Sequence, residues 1–115
     1  MGQWVKGKSH DSYGPIGPYL VTKDEITNIN NLNLTLDVNG KRMQTGNTNK
    51  MIFNVNFIVS YLSNYMSLQS GDIITTGTPS GVGMGMKPQV FLKNGDKIKL
   101  SIDNLGEQNS KVVLQ

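Results

Sequence analysis

From residue 32 the chain alternates. Leu32, Leu34, Leu36 and Val38 stand against Asn33, Thr35 and Asp37, the period-two pattern of a strand with one buried face. Asn39-Gly40 follows, a pair that accepts the two positive φ angles of a tight hairpin, so a return strand is expected over residues 41–44. Farther on the period changes. Val55, Ile58, Val59, Leu62 and Tyr65 recur at helical spacing between residues 54 and 66, with Asn54 placed as a cap and Gly71 beyond the end, which predicts one amphipathic helix. Residues 72–76 (Asp-Ile-Ile-Thr-Thr) form a short β-favouring run and are expected as a buried strand. Ile98, Leu100 and Ile102 alternate within residues 97–103, and residues 111–114 are expected to pair back across Asn104-Leu105-Gly106. Near the start, Gly14-Pro15 and Gly17-Pro18 bar a helix over residues 11–18, so Lys8 and Ser9 are expected to enter an ordered, non-helical loop that runs extended into Tyr19-Leu20-Val21. One helix among five or six strands makes the class mainly β (α+β).

Composition narrows this picture in a few places. The 115 residues suit one compact domain or a piece of a larger one. With 37% hydrophobic and 17% charged residues, a core is possible but thin. The net charge of +3 comes from 11 basic and 8 acidic residues without a basic block, which is too diffuse for a nucleic-acid surface. There is no cysteine, so disulfides, thiolate metal sites and thiolate nucleophiles are excluded and a cytoplasmic setting is the default. No apolar run approaches the roughly 20 residues of a membrane span, and residues 1–10 lack the apolar core of a signal peptide. No membrane partner is expected.

The candidate chemistry lies in two loops. Residues 76–83 (Thr-Gly-Thr-Pro-Ser-Gly-Val-Gly) follow the expected buried strand, and their glycines let backbone N–H groups approach an anion. No Gly-Lys-Ser/Thr closes the loop and no helical pattern follows it, so it is neither a phosphate loop nor a dinucleotide fingerprint. Thr78 either donates its hydroxyl to a ligand oxygen or bonds its own turn. Lys8, in Lys6-Gly7-Lys8-Ser9, is either a solvated cation or a fixed charge beside a carboxylate or enolate. His10 is the only histidine, and Asp11 beside it points the wrong way for a Ser-His-Asp triad on an extended segment. No metal-ligand spacing is present.

Three segments in fixed order carry a resemblance: Gly7-Lys8-Ser9-His10-Asp11-Ser12-Tyr13-Gly14-Pro15-Ile16-Gly17-Pro18, then Gly46-Asn47-Thr48-Asn49-Lys50-Met51-Ile52-Phe53, then Gly71-Asp72-Ile73-Ile74-Thr75-Thr76-Gly77-Thr78-Pro79-Ser80-Gly81-Val82-Gly83. Together they resemble the C-terminal half of the fumarylacetoacetate hydrolase family. The nearest branch is that of 2-hydroxyhepta-2,4-diene-1,7-dioate isomerase and 5-oxopent-3-ene-1,2,5-tricarboxylate decarboxylase. The resemblance implies a rolled, mixed β fold, usually homodimeric. It also implies a magnesium- or manganese-dependent enzyme acting on small anionic 2-oxo, 2-hydroxy-dienoate or β-diketo acids by C–C hydrolysis, decarboxylation or tautomerisation. By the same resemblance, Lys8 is the catalytic charge stabiliser beside the metal, Ser12 supports that region, and Gly77 and Thr78 bind a substrate oxygen.

The family's Glu-x-Glu and Asp metal ligands, and its His–Glu pair, precede the lysine motif and have no counterpart among these residues. Glu25 and Glu107 are not in Glu-x-Glu contexts. No residue here is therefore assigned as a metal ligand, and the chain is expected to bind no metal alone. Residues 1–115 are expected to be a single partial domain, the C-terminal portion of the catalytic domain. The leading expectation is a truncated piece, inactive alone. The alternatives are half of a split enzyme that associates with its N-terminal half, and a small β-rich anion-binding module without chemistry.

Overall fold

The first alternating segment forms the hairpin its pattern predicts. In a computed structural model that describes residues 2–114, β1 (Asn33–Val38) and β2 (Lys41–Asn47) pair antiparallel. Asn39 and Gly40 between them take φ of 52° and 78°, the two positive angles of a primed turn. The turn is tied to the next strand, because the Asn39 N–H donates to the Lys97 carbonyl at 2.8 Å and the Lys97 N–H donates back to Asn39 Oδ1 at 2.9 Å. β2 runs three residues past its expected end, since Thr45, Gly46 and Asn47 continue the ladder opposite Thr35, Leu34 and Asn33.

β3 (Lys97–Ile102) pairs with β1 on one side and with β4 (Gly106–Lys111) on the other, giving the strand order β2-β1-β3-β4, antiparallel throughout. The return strand was expected at residues 111–114, yet Lys111 is its last residue. The tight connection through Asn104, at φ 62°, forces pairing to start at Gly106 and outranks the apolar Val112-Val113-Leu114 signal. The expected buried strand at 72–76 is not formed among the described residues. No strand pairs with it, and Ile73 is 66% exposed. The strand count is therefore four rather than five or six, and the fold remains mainly β.

Two α-helices form among the described residues. α2 (Val55–Ser63) is capped as expected: Asn54 Oδ1 accepts from the Phe57 N–H at 2.8 Å. It ends three residues before Met66, where the Asn64 side chain donates to the Ser60 carbonyl at 3.1 Å and the chain tightens into i→i+3 bonds. Val55, Ile58 and Leu62 are half-buried, whereas Val59 and Tyr65 are exposed, so the inward stripe is narrower than expected. α1 (Trp4–Lys8) corrects the prediction of a wholly non-helical entry. The Ser9 N–H donates to the Val5 carbonyl at 2.9 Å, and the restraint of Pro15 and Pro18 does not reach back that far. Residues 11–18 are non-helical, as expected.

The ladder register sorts the sheet into two faces. Gln44, Leu36, Leu100 and Gln108 form one cross-strand row, and Gly46, Leu34, Ile102 and Gly106 form the next row on the same side. The opposite side carries Thr45, Thr35, Ser101 and Glu107, then Arg42, Asp37, Lys99 and Asn109. Arg42–Asp37 and Lys99–Glu107 are ion pairs there, so this is the solvated face. The apolar face carries both loops that hold candidate residues. Residues 79–81 lie along β2 and residues 15–19 along β4, on the two outer strands.

The apolar face is only partly covered. Leu32 is the one buried hydrophobic residue among those described, and Leu34, Leu36, Leu100 and Ile102 are half-exposed. The chain exposes 9689 Å², where a folded monomer of 12.6 kDa exposes about 6200 Å². Its radius of gyration is 15.7 Å against about 13 Å for a compact domain of this length.

Candidate functional site

The loop at residues 76–83 is held on the sheet by one side chain. Gln44, 9% exposed on β2, donates from Nε2 to Thr78 Oγ1 at 2.9 Å and to the Pro79 carbonyl at 2.7 Å, with the Ser80 carbonyl at 3.5 Å. Two glycines permit this approach. A Cβ on Gly46 would lie 2.9 Å from Pro79 Cβ, and one on Gly81, at φ 107°, would lie 2.1 Å from the Met43 carbonyl oxygen.

Between this loop, the end of β2 and the start of α2 lies a cleft of about 650 Å³. Gly77 and Thr78 line it on one side, and Leu34, Phe53 and Ile58 supply apolar walls. Among the described residues, Lys50 is the one charged residue of its lining and no carboxylate lines it. Among the described residues, no carbonyl or side chain accepts from the Gly77 or Thr78 N–H. The lining thus includes a lysine, a threonine hydroxyl and two residues whose N–H groups have no protein acceptor, beside apolar walls, a donor-rich set suited to a carboxylate or oxo oxygen.

The second candidate loop is fastened to the other edge of the same face. Gln108 on β4 donates from Nε2 to the Gly17 carbonyl at 2.6 Å and to the Pro15 carbonyl at 3.3 Å. The Tyr19 ring lies over Gly106, where a Cβ would meet the phenol oxygen at 2.7 Å. Lys8 ends α1 and is exposed, with no ion pair among the described residues. Ser12 sits at φ 70°, an uncommon conformation for a serine. Neither Lys8 nor Ser12 lines the cleft, so these residues bring Gly77 and Thr78 together and leave Lys8 and Ser12 apart from them. The His10 ring packs on Tyr13 with centroids 4.9 Å apart.

Sequence reasoning passed over Gln44, Gln108 and Lys50. A polar residue in the row of Leu36 and Leu100 is the signal for both glutamines, but it becomes visible only once the register is known. Lys50 stood inside a matched motif and was given no role. Among the described residues no three of His, Asp and Glu come close enough to hold a metal ion. The donor set of these residues therefore does not fit a divalent-cation cage.

An antiparallel β domain with a donor-rich cleft beside a Gly-Thr-Pro loop is the architecture to be placed among known proteins. The chain belongs to the fumarylacetoacetate hydrolase family, since residues 1–113 match its description as fumarylacetoacetate (FAA) hydrolase C-terminal. A curated relative from Burkholderia ambifaria, named provisionally as a hydrolase, is 59% identical over 108 residues, which is 93% of this chain and 38% of that protein. The fumarylacetoacetate hydrolase of Exiguobacterium antarcticum superposes with a TM-score of 0.92 at 41% identity, over 96% of this chain and 39% of that one. The 2-hydroxyhepta-2,4-diene-1,7-dioate isomerase of Mycobacterium marinum gives 0.83 at 37% identity, over 96% and 40%. The maleylpyruvate hydrolase of Sphingobium sp. SYK-6, solved with manganese(II) and pyruvate, gives 0.82 at 36% identity, over 90% and 37%. The chain spans about two-fifths of the length of the relatives it matches. Isomerase and hydrolase neighbours on one fold confirm the expected family and branch. No helix among the described residues is long and apolar enough to cross a membrane.

Proposed function

We propose that this chain is one wall of an enzyme site for small 2-oxo, 2-hydroxy-dienoate or β-diketo acids, working by C–C hydrolysis, decarboxylation or tautomerisation. The observation that carries this reading is the cleft itself, with Thr78 held by Gln44 and Lys50 as the only charge on its lining. Each of these reactions builds negative charge on an oxo oxygen as an enolate forms, so donors fixed in place lower the barrier. Gly77 and Thr78 hold a substrate oxygen, Lys50 opposes a carboxylate, and Lys8, supported by Ser12, is the charge stabiliser the family resemblance implies. A relative crystallised with pyruvate supports the substrate class.

The magnesium or manganese of such an enzyme requires carboxylates that these residues do not assemble. They come from polypeptide outside residues 1–115, in the same chain or in another, in a cytoplasmic setting. The uncovered apolar face is the natural seat for it: β2 and β4 are three strand spacings apart, which leaves a trough about 14 Å wide floored by Leu34, Leu36, Leu100 and Ile102. A second copy of the chain is the other partner in keeping with this surface. The exposed area argues against a stable monomeric binding module.

Two measurements test the reading. NMR titration of the chain with oxalate, a 2-oxo acid mimic, is expected to shift the Gly77 and Thr78 amides, and Thr78→Val is expected to weaken the effect. Unmoved amides at millimolar oxalate refute the cleft. The chain alone, with magnesium or manganese, is expected not to turn over acylpyruvates. Turnover of about 1–1000 per second by the chain alone would falsify the divided site.

A further inference from the structure

Gln44 is more than a tether for the loop. Its Nε2 carries two hydrogens, and both are spent on the 78–80 loop: one to the Pro79 carbonyl at 2.7 Å, one to Thr78 Oγ1 at 2.9 Å. Carbonyl oxygens accept only, so the nitrogen end of the amide must face the loop. Thr78 Oγ1 is then an acceptor toward Gln44. Its own hydrogen has one other partner among the described residues, the Pro79 carbonyl, at 3.5 Å and already bonded to Gln44. That hydrogen is therefore left for the cleft.

Gln44 owes its direction to a β-bulge. Val38 pairs with Lys41 and Asp37 with Arg42, but Leu36 pairs with Gln44, so Met43 is an extra residue on β2. Without it the register opened by the hairpin would set Gln44 opposite Thr35, on the polar face, where it could not reach the loop.

We propose that Gln44 is a positioning residue that sets the polarity of the cleft. By donating to Thr78 it makes the threonine a hydrogen-bond donor to the ligand, so the cleft selects an acceptor oxygen, a carboxylate or ketone. This rests on the reading of the cleft as the substrate-oxygen site.

Gln44→Glu inverts the donor, because a carboxylate has no hydrogen to give and takes Thr78's own. At about pH 7 this variant is expected to bind oxalate about tenfold more weakly than the parent, the worth of one hydrogen bond. Protonating the introduced carboxylate restores a donor. That carboxyl, buried against two carbonyl oxygens, titrates above the ordinary range, so affinity should return in mild acid while the parent stays flat. Lys50 is the one ionisable side chain on the cleft wall among the described residues, and the Arg42–Asp37 and Lys99–Glu107 pairs lie on the other face of the sheet.

Parent-like binding by the variant at neutral pH overturns the proposal. So does weak binding at every pH, which marks a merely structural role. If the parent protein itself shows no oxalate response, the cleft reading fails separately. Gln44 is then judged by its side-chain amide hydrogens: slow exchange with a cross-peak to Thr78 Hβ supports the positioning role, and fast exchange overturns it.

Discussion

Replacing Gly81 by alanine tests the loop-on-strand arrangement most directly. Gly81 has φ 107°, outside the range where an L-residue rests without strain, and its Cβ would sit 2.1 Å from the Met43 carbonyl oxygen. A flexible side chain could swing away from such a contact; a ladder carbonyl at a bulge cannot. The backbone conformation alone costs about 1–3 kcal/mol. The overlap adds to that until the loop detaches, so the total is capped by the free energy that holds the loop down. That cap follows from the contacts. Two Gln44 hydrogen bonds contribute about 1 kcal/mol each, and releasing the loop leaves the Gln44 amide without these partners. Gly81→Ala is expected to lower stability by about 2–4 kcal/mol and to move the urea midpoint by about 1 M or more. Gly7→Ala in α1 is the control: nothing lies within 4 Å of its Cβ, so it should leave the midpoint in place or raise it slightly. A loss below about 1 kcal/mol for Gly81→Ala would refute the docking of residues 79–81 on β2.

Acid should destabilise the chain through identifiable carboxylates. The Arg42 guanidinium holds Asp37 below the ordinary carboxylate range, Asn39 followed by the Lys93 N–H does so for Asp96, and Lys99 followed by Asn109 does so for Glu107. Groups depressed by folding stabilise the folded state above their unfolded values and lose that contribution as pH falls through the folded ones. The urea midpoint should therefore be level from about pH 7 to 5 and fall below about pH 4, and a midpoint that rises there would contradict the assignment. The aromatic rings of α2 make a separate prediction. Phe53 just before it, Phe57 and Tyr61 on it and Tyr65 just after it follow one another with centroids 4.8, 6.0 and 5.0 Å apart, the first two pairs stacked and the last tilted, on a stretch free of charge from Met51 to Gly71. If this stripe also takes part in self-association, Phe57→Ser combined with Tyr61→Ser weakens association of the chain in sedimentation without moving its urea midpoint; unchanged association would show that the stripe plays no part in it.

Legibility followed from how local each determinant is. The β1–β2 hairpin and the Asn54 cap depend on residues within a few positions of one another, and both formed as their patterns predict. Alternation in β1 and β3 also told which side chains share a face. Residues 72–76 failed because a buried strand is defined by neighbours, and none of the described residues pairs with them. β4 failed in the opposite sense: its polar Glu107-Gln108-Asn109-Ser110 carries no strand signature, and a tight turn decided its position. The loop motif put Gly77 and Thr78 forward as candidates, whereas Lys50 joined them only when the structure showed it on the lining of the same cleft.

Gln44 shows why the rest of the site could not be read from the chain. A two-residue hairpin closed at Val38 and Lys41 has one natural continuation, and it sends Gln44 to the solvated side with Thr35. The single extra residue Met43 shifts the ladder by one, turns Gln44 to the apolar face and sets the Met43 carbonyl against Gly81. The bulge, the loop glycine and the glutamine thus act on the same contact: the bulge turns Gln44 toward the loop, Gly81 lets the loop approach Met43, and Gln44 donates to Thr78. The other edge of the sheet repeats the arrangement, with Gln108 in the same cross-strand row fastening residues 15–17 and Gly106 admitting Tyr19. Two loops held at the two edges of one apolar face, with a half-exposed floor between them, leave that floor as the surface on which the proposed covering polypeptide would seat.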